Sequence, residues 1–223
     1  MFMAMENLFS NLFYILEGLP VTLELTAYGL ALGFILGFPL ATLRVYGGKE
    51  AKSFVAMYER TLRSIPLLII IFILYFGFSQ EIIRIPAFLA VSLSLGIRSS
   101  AYQSQIFRGA IESIGRGQMD AALSIGLTRI QAIRHVILPQ VLRLALPSWS
   151  NEAAIVIKDT SFAFIFGIAE VMRRANYIRA VTYDPLTPFL IVAAIYFIIV
   201  FPLTKIIGTW GKRKTEVMVG RKS

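Results

Sequence analysis

A chain of 223 residues that is 57% hydrophobic, with a mean hydropathy of +0.70, is too apolar for a soluble domain with an ordinary surface. Its net charge of +9 would suit nucleic acid, but apolar runs of bilayer length give those cations another place, beside a membrane. Cysteine is absent, which excludes disulfides and thiolate metal sites, and the single His135 lies in a polar stretch where a solvated or capping role suits it.

In chain order, residues 1–18 are moderately apolar and carry Glu6 and Glu17 but no Lys or Arg. Without a basic n-region they do not read as a secretory signal, and an amphipathic helix on the membrane surface is expected. The first span runs from Leu19 to Leu43, with Glu24 as its only charge, and is roughly 37 Å long if helical. Gly29, Gly33 and Gly37 form a doubled GxxxG ridge suited to close helix contact. Gly47-Gly48 marks a turn. The second span centres on residues 65–78 and continues a helix expected from about Ser53, with Arg60 and Arg63 able to snorkel from its start. The third, about 86–111, is interrupted by Arg98. The fourth, about 145–168, is unusually polar, with Asn151, Glu152, Lys158, Asp159, Thr160 and Ser161. The fifth, 188–207, is continuously apolar, with a kink expected at Pro202.

These spans predict an all-α integral membrane protein with five transmembrane helices and a membrane domain over 19–207. Lys and Arg outside the spans fix its orientation. Segments 44–63, 108–143 and 205–223 hold sixteen, against four in 1–18, 79–85 and 169–187. The expected topology is therefore an extracytoplasmic N-terminus and a cytoplasmic basic tail over 208–223.

Between the third and fourth spans lies the polar stretch from Gly117 to Pro139. Asp120-Ala121-Ala122-Leu123 starts a short helix, with the acid near its positive end. Gly126 stands where a left-handed residue would stop that helix. Thr128 and Gln131 have capping-box spacing for a second helix, which is expected to bend or end near Pro139. The result is a rigid corner on the cytoplasmic side.

Asp120-Ala121-Ala122, Gly126, Val136 and Leu138-Pro139 fall at the spacings of the EAA loop: EAA, three residues, Gly, nine residues, Ile, one residue, Leu-Pro. The stretch resembles that loop of ABC importer membrane subunits, with Asp in place of Glu and Val in place of Ile. The likeness widens to Arg63–Gly77, Ala101-Tyr102, Ile106–Ile111, Gly117-Gln118, Leu138-Pro139-Gln140 and Lys158-Asp159-Thr160-Ser161, about residues 60–165. Together these resemble the polar amino acid ABC permeases; Gln105, where many relatives have Glu, and Phe162, where Leu is usual, depart from the pattern.

This resemblance implies a type I ABC importer permease fold. It also implies two ATPase subunits that bind ATP and Mg, a second permease subunit (identical or a paralogue) and an extracytoplasmic solute-binding protein. Gly117, Asp120, Ala121, Ala122, Gly126, Leu138 and Pro139 would form the coupling helix seated on the ATPase. No GxxxxGK[ST] phosphate loop occurs, so this chain is expected to be a transport subunit in the cell membrane without cofactor or ATPase site of its own.

Glu152 and Asp159 are seven residues apart, nearly two helical turns, and so share a face. They pair with Lys158 or Arg98, or line the pathway with Thr160, Ser161 and Glu24; the second arrangement favours arginine, lysine or histidine over glutamate, with glutamine as the neutral runner-up. A glutamine-type permease is the alternative. A secondary transporter leaves the corner unexplained, and one His with no HExxH or GxSxG argues against a membrane-embedded enzyme.

Overall fold

Ten α-helices and three tighter or wider turns make up the computed structural model, which describes residues 2–77, 85–115 and 117–207. The expected tail over 208–223 lies outside the described residues. The helices are α1 (Phe2–Leu16), α2 (Leu19–Tyr46), α3 (Lys49–Ser64), α4 (Leu67–Gly77), α5 (Ala87–Ile114), α6 (Gly117–Ser124), α7 (Arg129–Ala132), α8 (Leu138–Asp159), α9 (Val171–Thr182) and α10 (Thr187–Pro202). A π-turn, Ile133–Ile137, joins α7 to α8; a 3-10 turn, Thr160–Phe166, follows α8; a second π-turn, Leu203–Ile207, follows α10. No strand occurs among the described residues.

Three boundaries differ from the sequence expectations. The second span is not one helix from Ser53: α3 ends at Ser64 and α4 begins at Leu67, because Pro66 disfavours helical geometry at Ile65 and lacks an N–H. Of the bend or end expected near Pro139, the end does not occur. The helix after the corner widens into the π-turn just before Leu138-Pro139, and so absorbs the proline without stopping. The loop expected over 169–187 contains α9, whose N-cap Glu170 accepts hydrogen bonds from Met172 N and Arg173 N, both at 2.7 Å.

By length and apolarity alone, two helical stretches qualify as spans, Phe9–Tyr46 and Thr187–Lys205, or three if α3 and α4 are one broken span. Helices α5 and α8 are 28 and 22 residues long but carry buried polar side chains, which lower their hydropathy.

The chain divides into two compact units. The first comprises Met1–Ala31, Ile65–Gly96 and Ala153–Phe201. One apolar cluster within it gathers Leu25, Leu67, Ile71, Val91, Leu95, Val156 and Ala163. Another packs Ile15 of α1 against Val171, Ala175 and Ile178 of α9 and Val192 and Ile195 of α10. The α1–α2 corner sits tightly on α9. A Cβ at Gly18 would lie 2.6 Å from the Glu170 carbonyl carbon, and Val171 N donates to Thr22 Oγ1 at 3.4 Å. Arg174 adds an ion pair to Glu17 at 2.6 Å.

The second unit comprises Leu32–Ser64, Ile97–Glu152 and Pro202–Ser223. Its core joins Ala41, Phe107, Ala110 and Ile111 to Met119, Ala122, Ala132, Ile137 and Val141 of the corner and α8. In a lipid setting apolar burial drives association weakly, so close approach and interhelical hydrogen bonds carry more of the load. Gly37 shows the first device. A Cβ there would lie 2.9 Å from the Ser100 carbonyl oxygen and 3.0 Å from Gln103 Cβ, so only glycine lets α2 and α5 meet at this distance.

Candidate functional site

The corner builds itself from local hydrogen bonds. Helix α6 buries Met119 and Ala122 and ends in a Schellman motif: Gly126 N donates to Leu123 O at 3.0 Å and Leu127 N to Ala122 O at 3.2 Å. That motif requires the left-handed φ of +86° found at Gly126. Thr128 and Gln131 then form the expected capping box, with Thr128 N donating to Gln131 Oε1 at 2.8 Å and Gln131 N to Thr128 Oγ1 at 3.3 Å. His135 is exposed, its Nδ1 3.0 Å from the Gln131 carbonyl, in keeping with a solvated, capping role.

Polar and apolar surfaces alternate around this corner. Ile125 and Ile130 are 77% and 78% exposed at its tip, an unusual position for branched apolar residues beside polar Asp120 and Thr128. Gly117, Asp120 and Ala121 are also exposed, while Ala122 is buried, Leu138 half-buried and Pro139 exposed. Behind the tip opens a cleft of about 680 Å³ whose charged lining includes Arg44, Lys52, Glu112, Asp120 and Arg129. Arg129 stacks over the Tyr46 ring at 5.5 Å.

A second constellation lies on α5 in the same unit. Ser99, Ser100, Gln103 and Ser104 are all buried, and they hold a directed hydrogen-bond relay. Trp149 Nε1 donates to Gln103 Oε1 at 3.0 Å, Gln103 Nε2 to Ser99 Oγ at 3.1 Å, and Ser99 Oγ to Glu152 Oε1 at 2.7 Å. Every donor points toward the Glu152 carboxylate, which is only 3% exposed. Aligned hydrogen bonds polarise one another and concentrate acceptor charge at the end of the chain. A parallel array ends on Glu59, also 3% exposed, which accepts from Ser104 Oγ at 2.7 Å and Gln105 Nε2 at 3.3 Å. Gln105 Oε1 in turn accepts from Arg63 at 2.5 Å, and Arg63 and Arg98 both stack on the Tyr102 ring, at 5.0 and 4.9 Å.

Residues 29–215 match the family of binding-protein-dependent transport system inner membrane components. The chain belongs to that family. Among relatives of this permease, the probable amino-acid ABC transporter permease protein PatM of Vibrio harveyi is 38% identical, over 90% of this chain and 94% of its own length. The glutamine transport system permease protein GlnP of Escherichia coli K12 is 35% identical, over 89% and 92%. A solved amino acid ABC transporter with histidines superposes on the permease with a TM-score of 0.79 at 33% identity, covering 96% of this chain and 98% of that one. The resemblance to amino acid ABC permeases is thus borne out, with its all-α type I importer fold and multi-pass membrane placement. Permeases of this kind work with an ATPase and a binding protein.

The remaining residues singled out from sequence are distributed over both units of the permease. Glu24, in the first unit, is exposed on α2. Asp159 is half-buried at the end of α8 in the first unit, where Thr160 is fully buried and donates to the Ile157 carbonyl at 2.6 Å, and Ser161 is half-buried. Arg98 and Glu152 belong to the second unit. Lys158 is exposed. Sequence reasoning missed Glu59, Gln103 and Glu170. Glu59, in the charged helix α3, carries no signal; Gln103 carries a usable one, a polar residue at helical spacing inside the third span. Glu170 carries less, though a capping acid three residues after Gly167 is one. Burial pushes its carboxyl up to about 7, against the pull of the Met172 and Arg173 N–H groups.

Proposed function

We propose that this permease carries a basic amino acid, arginine, lysine or histidine, into the cell by alternating access. The observation that carries the reading is the relay into Glu152. Glu152 is buried, and the relay from Trp149 through Gln103 and Ser99 ends on its carboxylate, an acceptor group that suits a cationic side chain on the substrate. Asp159, Thr160, Ser161 and Glu24 complete the pathway in this reading, with Arg98 facing the substrate or holding a neighbouring acid. A second reading, a glutamine permease, is supported by the amide and hydroxyl groups of Gln103 and Ser99 and by the likeness to the glutamine relative.

Two ATPase subunits, binding ATP and Mg, would seat the corner in their surface cleft. Ile125, Ile130, Asp120 and Ala121 would be the contact, with Ala122 packed beneath them and Gly117, Gly126, Leu138 and Pro139 keeping its shape. A second permease subunit, identical or a paralogue, completes the pathway, and a solute-binding protein delivers substrate on the side of the N-terminus. ATPase closure then moves α8 and α5, which flank the corner, and so shifts the balance between the two access states.

The test is substrate-stimulated ATPase activity of the reconstituted complex with arginine, lysine, histidine and glutamine, for the native chain and for Glu152→Gln. Preference for a cation that collapses in Glu152→Gln supports the first reading. Preference for glutamine, undiminished in that variant, overturns it.

A further inference from the structure

A groove of about 350 Å³ opens in the second unit between Phe34, Phe107, Leu142, Leu146 and Trp149. It shares no lining residue with the corner cleft, and touches the relay into Glu152 only through Trp149. Phe107 forms its floor at 1% exposure and meets Phe34 edge-on at 5.4 Å. Trp149 turns its one polar atom inward, to Gln103, so its ring presents only carbon to the groove. A single charged residue remains in the lining, Arg143, which is exposed and engaged by no hydrogen bond or ion pair among the described residues.

An apolar slot with one unengaged guanidinium at its edge matches a molecule that is a hydrocarbon chain at one end and an anion at the other. We infer that the groove holds an acyl chain of an anionic phospholipid, with Arg143 bound to its phosphate. The charge decides between possible occupants. A second copy packed here about a two-fold axis would bring Arg143 toward its own equivalent, and no acid lines the groove to separate them. The same lack of an acid leaves nothing for the ammonium group of a zwitterionic headgroup. Arg143 also closes the cation-rich segment 108–143, so the site faces the anionic cytoplasmic leaflet if the orientation expected from charge holds.

Native mass spectrometry of the purified permease–ATPase complex, incubated with phosphatidylglycerol or phosphatidylcholine, tests this. Phosphatidylglycerol should be retained in preference, Arg143→Gln should lower its retention about fivefold, and Arg143→Lys should restore most of it. Leu146→Trp, which fills the slot but leaves the charge, should remove the bound lipid while the complex stays assembled. Equal retention of the two lipids, or undiminished phosphatidylglycerol in Arg143→Gln or Leu146→Trp, overturns the inference. So does a disulfide between two copies carrying Leu146→Cys, since a second permease would then cover the groove.

Discussion

The corner and the polar layer on α5 lie in one unit yet are held together in opposite ways. Every hydrogen bond that shapes the corner spans five residues or fewer, and its tip points apolar side chains at solvent. The polar layer joins residues 42 to 53 positions apart and is buried at its two carboxylates, with the Arg63–Gln105 bond at its exposed edge. A locally closed element keeps its shape when the rest of the unit rearranges, which suits a part that transmits force. A layer of buried long-range bonds instead makes one arrangement of α3, α5 and α8 much better than its neighbours, which suits a part that sets discrete states.

The sharpest break in this comparison is expected at Gly37. Gly37→Leu forces α2 from α5 and should cost more than about 3 kcal/mol, seen as loss of monodisperse protein in detergent. Gly109→Ala, on the same helix pair's open side with no neighbour within 4 Å, should leave yield unchanged. Next is the layer itself. Glu59→Ala strands the Ser104 and Gln105 donors and should lower stability by about 2–3 kcal/mol in thermal unfolding, with Glu59→Gln recovering part of it. If Glu59→Ala proves neutral, the layer is not what orders these helices.

The corner should respond differently, in function more than in stability. Gly126→Trp places a bulky residue at φ +86° and should cost about 1–2 kcal/mol, with membrane insertion retained. Its main effect should be ATP hydrolysis without transport; intact coupling in that variant removes the corner from the force path. The smallest effect is expected for Thr128→Ala, which removes one cap and should cost about 1 kcal/mol, visible as faster amide exchange over residues 128–132.

The same contrast explains what could be read from sequence. Asp120, Gly126, Thr128, Gln131 and Pro139 act on neighbours within one or two turns, so their spacing states their roles. Glu59 and Glu152 acquire theirs from Ser104 and Ser99, 45 and 53 residues away, and no local pattern names those partners. The glycine ridge lay between: its spacing announced close contact but not that Ser100 and Gln103 of α5 would supply it. The break at Pro66 is a local signal, masked by the apolar run that follows it. The π-turn has no such signal, because proline specifies a disturbance without specifying its form.

That π-turn, Ile133–Ile137, leaves one surplus residue in an otherwise unbroken helical rod between the capping box and Glu152. A rod with no loop in it passes a push or a twist onward with little slack. The surplus residue adds a gear: shifting the wide turn along by one position rotates each residue it passes by about 100° about the helix axis. A one-position shift toward α8 would therefore reorient Leu138, at the start of that helix, while the residues beyond it keep their facing.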